Sequence, residues 1–103
     1  MSTKKSSARK FLEKLRGGPL TFGQMITSIR QADEITQVAL AKKMKISRAH
    51  LCDIEKGRRT VSAERAAKFA KTLGYSINQF VAVALEDQLR DAGLKVKVHV
   101  EAA

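Results

Sequence analysis

The chain has 103 residues, 44% of them hydrophobic, which suits one domain with a modest core rather than two. Lysine and arginine outnumber aspartate and glutamate by 20 to 10, and the resulting net charge of +10 points to a polyanionic partner. The single cysteine, Cys52, excludes an internal disulfide framework, and no apolar run has the length of a bilayer span, so the expected location is the cytoplasm.

Residues 1–18 begin as a Ser/Thr/Lys tail and continue into an amphipathic segment with Ala8, Phe11, Leu12 and Leu15 at helical spacing. Three readings stand for this basic arm. Lys4, Lys5, Arg9 and Lys10 lie on DNA phosphates, or Phe11, Leu12 and Leu15 fold onto a protein partner, or the segment is a frayed terminus. After Gly17-Gly18-Pro19, Thr21 and Gln24 have capping-box spacing and open a helix whose core stripe is Phe22, Met25, Ile26 and Ile29.

Thr36 caps the next helix, 37–43, with Leu40, Ala41 and Met44 inward. A break at Lys45-Ile46 follows, and Ser47 caps a second short helix reaching about residue 56. Leu51 and Ile54 point to one side of it, and Ala49, Cys52, Asp53 and Lys56 to the other. Gly57 ends that helix. Ser62 opens another, with Ala66, Phe69, Ala70 and Leu73 on its core face, and Gly74 stops it.

Ser76 and Gln79 open a longer helix, 76–93. Its apolar residues Ile77, Phe80, Val81, Ala84, Leu85 and Leu89, with Val83 behind them, cover more circumference than one small core needs. A second buried surface, a two-fold homodimer contact, is expected there. The last piece alternates Leu94, Val96, Val98 and Val100 against Lys95, Lys97 and His99, the pattern of a strand. It must pair with its own symmetry mate, add to a partner's sheet, or stay unordered until it does. The expected fold is therefore all-α, five helices with a short C-terminal β-strand, divided into an arm (1–18), a helix-turn-helix domain (19–92) and a strand or tail (93–103).

The pattern Gln37, Leu40-Ala41, Ile46-Ser47, Leu51, Ile54-Glu55, Gly57 resembles the helix-turn-helix of the Cro/repressor, or Xre, superfamily, and the resemblance runs from Leu20 to Gly74. It implies a lambda-repressor-like domain with the recognition helix at about 47–56. It also implies an ion pair between Arg30 and Glu55, in which a guanidinium and a carboxylate satisfy each other bidentately. Carried over by position, Arg48, Ala49 and Asp53 read bases: Arg48 grips guanine, Ala49 touches a thymine methyl and Asp53 accepts from cytosine N4, with His50 and Cys52 as weaker candidates. Gln37, Ser47, Lys56, Arg58 and Thr60 hold phosphates, with Arg59 added.

His50, His99 and Cys52 lack the spacing of a zinc site, no glycine-rich phosphate loop follows a strand, and no nucleophile–base arrangement is recognisable. No enzyme, metal or cofactor is expected. Cys52 is read either as a small side chain that fits against DNA or as an oxidant sensor. The resemblance to Xre-type antitoxins implies a homodimeric repressor of its own operon that also neutralises a RelE-like toxin, with Leu94, Val96, Val98 and Val100 as the dimer or partner strand. The alternatives are a phage or controller-type repressor without a toxin, and an interaction adaptor that has lost DNA.

Overall fold

The structure, a computed structural model, describes residues 20–101. The basic arm and its Phe11, Leu12 and Leu15 patch lie outside the described residues. Five helices follow in order: α1 (Phe22–Ala32), α2 (Gln37–Met44), α3 (Arg48–Glu55), α4 (Ala63–Leu73) and α5 (Ile77–Asp91). Two of them have only eight residues, too short to persist alone in water. Their starts are fixed locally. A Thr or Ser hydroxyl precedes every helix and accepts the N–H three residues on, Thr21 from Gln24, Thr36 from Ala39, Ser47 from His50, Ser62 from Arg65 and Ser76 from Gln79. Each such cap contributes about 1 kcal/mol. At Thr21 the Gln24 side chain also accepts the Thr21 N–H, completing the box.

The core collects one face of each helix. Phe22 of α1 stands edge-on to Phe69 of α4 and Phe80 of α5, with ring centroids 5.6 and 5.9 Å apart, the arrangement that aromatic quadrupoles favour. Leu40, Ala41 and Met44 of α2 and Leu51 and Ile54 of α3 are buried against them. On α5 the stripe is rotated from the expected one. Phe80, Val83 and Ala84 face the core while Ile77 is exposed, because an i, i+3, i+4 set fits the contact with α4 better than the longer apolar run. Ala82 and Glu86, on another side of α5, are buried as well.

Two close fittings hold the motif in place. Residue 23 lies where α1 crosses the end of α3, and a Cβ there would fall 2.3 Å from the Ile54 carbonyl oxygen and 2.7 Å from that of Glu55. Only glycine fits. From the other side, Asp87 of α5 accepts the Phe22 N–H at 2.7 Å, satisfying one of the orphan donors at the start of α1, and pairs with Arg90 one turn on. Burial pushes the Asp87 carboxyl above its ordinary range against the pull of both partners.

The expected C-terminal strand is absent from the described residues. Beyond α5 the chain to Glu101 has no regular structure, and Leu94 and Val96 are 52% and 50% exposed. A strand needs a second strand to take its backbone bonds, and the described chain offers none. The segment instead runs back to α5, where the Val98 N–H donates to Oε2 of the buried Glu86 at 3.0 Å. Among the described residues no helix is long and apolar enough to cross a membrane.

Gly23→Ala should be among the most damaging single-methyl changes in the chain. We expect a loss of about 3 kcal/mol, the upper range for overpacking against rigid backbone, read as a drop in thermal midpoint of roughly 10 °C or more. A midpoint within 2 °C of the parent would show that α1 and α3 are not in this contact.

Candidate nucleic-acid interface

The site is built on α3, whose inner residues Leu51 and Ile54 are fully buried and therefore fix which side looks out. Arg48 and Ala49 are exposed at its first turn, and His50, Cys52 and Asp53 are half-exposed along the same side. Ser47 at the cap is exposed, with its hydroxyl oxygen already accepting the His50 N–H, so its O–H is the part left to donate. Lys56, Arg58, Arg59 and Thr60 are exposed in the loop that follows.

The orientation of α3 is set at its other end by Glu55. Arg30 of α1 grips this carboxylate bidentately, Nε to Oε2 at 2.8 Å and Nη2 to Oε1 at 3.1 Å, and Nη1 donates to the Ile35 carbonyl at 3.0 Å. The two side chains are 13% and 4% exposed, so the pair is largely removed from water. Gln37, at the first position of α2, adds a third donor to Glu55, Nε2 to Oε1 at 2.9 Å. One of the two N–H donors on the Gln37 amide nitrogen is thus committed to the brace, and the other is left to donate.

That helix start borders an open depression of about 360 Å³ lined by Arg30, Thr36, Gln37, Val38 and Arg48. It brings the positive end of the α2 dipole beside the Arg48 guanidinium, a combination that favours an anion. Val38 at its edge is 60% exposed.

Two further pairs lie on the outward face. Arg58 donates Nε to Asp53 Oδ1 at 2.9 Å, and Nη2 stands at the same distance. This contact with Asp53 is the main reason the Arg58 guanidinium is held above its usual range. A residue read as a phosphate clamp and one read as a base reader therefore hold each other. On the first turn of α3, Nη1 of Arg65 from α4 lies 2.9 Å from Nε2 of His50. The same Nη1 lies 3.4 Å from Nδ1, and because arginine can only donate, the closer Nε2 is assigned as the accepting, unprotonated nitrogen. Burial, followed by the charges of Arg59 and Arg65, lowers the His50 pKa, while Asp53 opposes the shift.

Sequence reading alone did not single out Gly23, Arg65 or Val38. Gly23 had a signal, an isolated glycine within a strongly periodic helix. Arg65 had none, because its contact joins helices fifteen residues apart. The strand candidates divide: Leu94 and Val96 are exposed, and Val98 and Val100 are half-buried. No grouping of three or more potential ligands able to hold a metal occurs among the described residues.

The sequence of residues 26–80 matches the family model described as helix-turn-helix, a span that contains α2, α3 and α4 whole. The chain belongs to this helix-turn-helix family, of the Cro/repressor or Xre type. It is also similar to an immunity repressor protein of Bacillus phage phi105, 39% identical over 62 residues, which are 60% of this chain and 43% of that protein. The chain thus matches less than half the length of this relative. No solved structure matches it significantly.

Removing the guanidinium in Arg30→Ala leaves Glu55 buried with one neutral donor. We expect a loss of about 3 kcal/mol, since breaking a mostly buried pair strands its partner. Arg30→Lys, which cannot form the bidentate fork, should recover only part of it. Denaturant midpoints at equal slope would measure both. For His50 the sign follows from the lowered pKa. The folded chain prefers the neutral ring, so this contribution is present above the unfolded value of 6.5 and lost as pH falls through the lower folded value. His50→Gln should flatten the stability profile just below pH 6.5, and an unaltered profile would remove the ring from that dependence.

Proposed function

We propose that the chain is a sequence-specific, double-stranded-DNA-binding transcriptional repressor that acts as a homodimer. The observation that carries this reading is α3 itself. Its apolar side is fully buried and its end braced by Arg30, while its polar side is open and flanked by Ser47, Lys56, Arg58 and Arg59. Membership of the helix-turn-helix family supports it, as does the similarity to a phage immunity repressor. The family is one of regulators rather than enzymes.

On this reading α3 enters the major groove. Arg48 takes the O6 and N7 of guanine, Ala49 meets a thymine methyl, and Asp53 accepts from cytosine N4, with His50 and Cys52 at the edge of the footprint. Gln37, Ser47, Lys56, Arg58, Arg59 and Thr60 lie on phosphates and set the register. Asp53 and Arg58 then exchange each other for cytosine and phosphate on binding. A two-fold dimer places two such helices about one turn of DNA apart.

Two biological settings fit. The phage relative favours a simple phage or controller-type repressor. The exposed Leu94 and Val96 favour the second, an antitoxin whose C-terminal segment is completed by a RelE-like toxin. Purification of the full chain from its native host separates them: a small stoichiometric partner supports the antitoxin, and homodimer alone supports the repressor.

The roles are tested by substitution on selected and scrambled duplexes. Arg48→Ala should cost about 1–3 kcal/mol on the selected duplex and relax preference at one base pair. Arg58→Ala should weaken both duplexes alike and lower the salt slope by about one. Equal losses for the two variants on both duplexes would overturn the assignment.

A further inference from the structure

A second basic face adjoins the helix-turn-helix, and none of the roles above uses it. Arg65, Lys68 and Lys71 follow one another at three-residue intervals along the outer side of α4, with Ser62, Glu64 and Ala67 lining the same open groove of about 480 Å³. Lys68 reaches across to the end of α2, its Nζ lying 3.4 Å from the Met44 carbonyl oxygen. Lys42, Lys43 and Lys45, all exposed, surround that end. Glu64 is the sole acid in segments 37–45 and 62–74.

Ordinary helix stabilisation accounts for only part of this: Lys71 lies in the last turn of α4, Glu64 stands one turn before Lys68, and Lys68 reaches the last carbonyl of α2. The C-terminal end of a helix carries about half a negative charge, which one or two cations complement, whereas four lysines gather here. Along α4 the like charges one turn apart disfavour the helix. Lys45 adds a second cost. It sits in the left-handed region at φ 58° and ψ 42°, a position that glycine fills without penalty and other residues at about 1 kcal/mol or more. The chain keeps a lysine there.

The face is continuous with the recognition surface, because Arg65 is the residue that touches His50 on α3. From residue 65 to residue 71 a helix advances about 9 Å, enough for its cations to reach more than one phosphate of a strand.

We propose that the outer side of α4 and the end of α2 form a second phosphate track, which carries the DNA duplex flanking the site read by α3. This rests on the DNA-binding reading above. The track takes backbone and no bases, so it lengthens the footprint and raises affinity without altering the sequence preferred.

The test uses the full chain and a duplex selected by it from a random-sequence pool, prepared at minimal length and with ten additional base pairs of unrelated sequence on each side. The parent should bind the longer duplex about tenfold more tightly at low salt, with a salt slope steeper by about two per protomer. The variant Lys68→Gln/Lys71→Gln should lose that difference and still bind the minimal duplex within about twofold. Its melting midpoint should stay close to the parent's, since the like-charge repulsion removed offsets the bond lost from Lys68 to the Met44 carbonyl. The track is refuted if parent and variant gain equally from the flanks, or if the parent gains nothing. Selection that returns no consensus would instead bring down the DNA-reading assignment and this one with it.

Discussion

The Glu55 carboxylate is the point on which the motif turns. It is 4% exposed and receives hydrogen bonds from Arg30 of α1 and Gln37 of α2 while itself ending α3. A carboxylate buried to that degree is tolerable only when its lone pairs are taken, so the positions of three helices are coupled through one group. Gly23 makes the approach possible, because any side chain there would push α1 away from the carbonyls of Ile54 and Glu55. The brace and the glycine are two halves of one fitting, an attraction that needs close approach and a missing methyl that permits it.

The far end of α3 is held quite differently. Arg48 and Ala49 project from a first turn secured by the Ser47 cap, and the polar side chains beyond them are paired with one another through Arg58 to Asp53 and Arg65 to His50. The Arg58–Asp53 pair is open to solvent, where an ion pair contributes about 1 kcal/mol or less, and the Arg65–His50 contact is a half-buried hydrogen bond to a neutral ring. They orient side chains at small cost. The helix is thus fixed firmly through Glu55 and only lightly by the pairs on its polar side.

Much of this was legible in the sequence, and the reason is range. The five caps are contacts between residues three apart, so Thr21, Thr36, Ser47, Ser62 and Ser76 could be read directly and their helices begin where those residues indicate. Core stripes on α1 to α4 were legible by periodicity. On α5 the apolar residues run almost all round, and only packing against α4 decides that Val83 turns in and Ile77 turns out. The Arg30 and Glu55 pair was readable through family resemblance alone, being 25 residues apart, while the commitment of Gln37 to that pair was not. The alternation from Leu94 to Val100 is a true pattern, but a strand is a property of two segments and the described chain supplies one.

The hydrogen bond from Phe22 N–H to Asp87 joins residues 65 apart, and the Phe22 ring meets Phe80 near the same place. The start of α1 is therefore completed by α5. During synthesis the helix-turn-helix leaves the ribosome before α5, and until then α1 lacks one of its two aromatic neighbours and the acceptor at its first turn. A contact between residues so far apart in sequence raises the closure cost and slows folding. A chain cut short before α5 would carry every residue of the recognition helix and no stable frame to aim it.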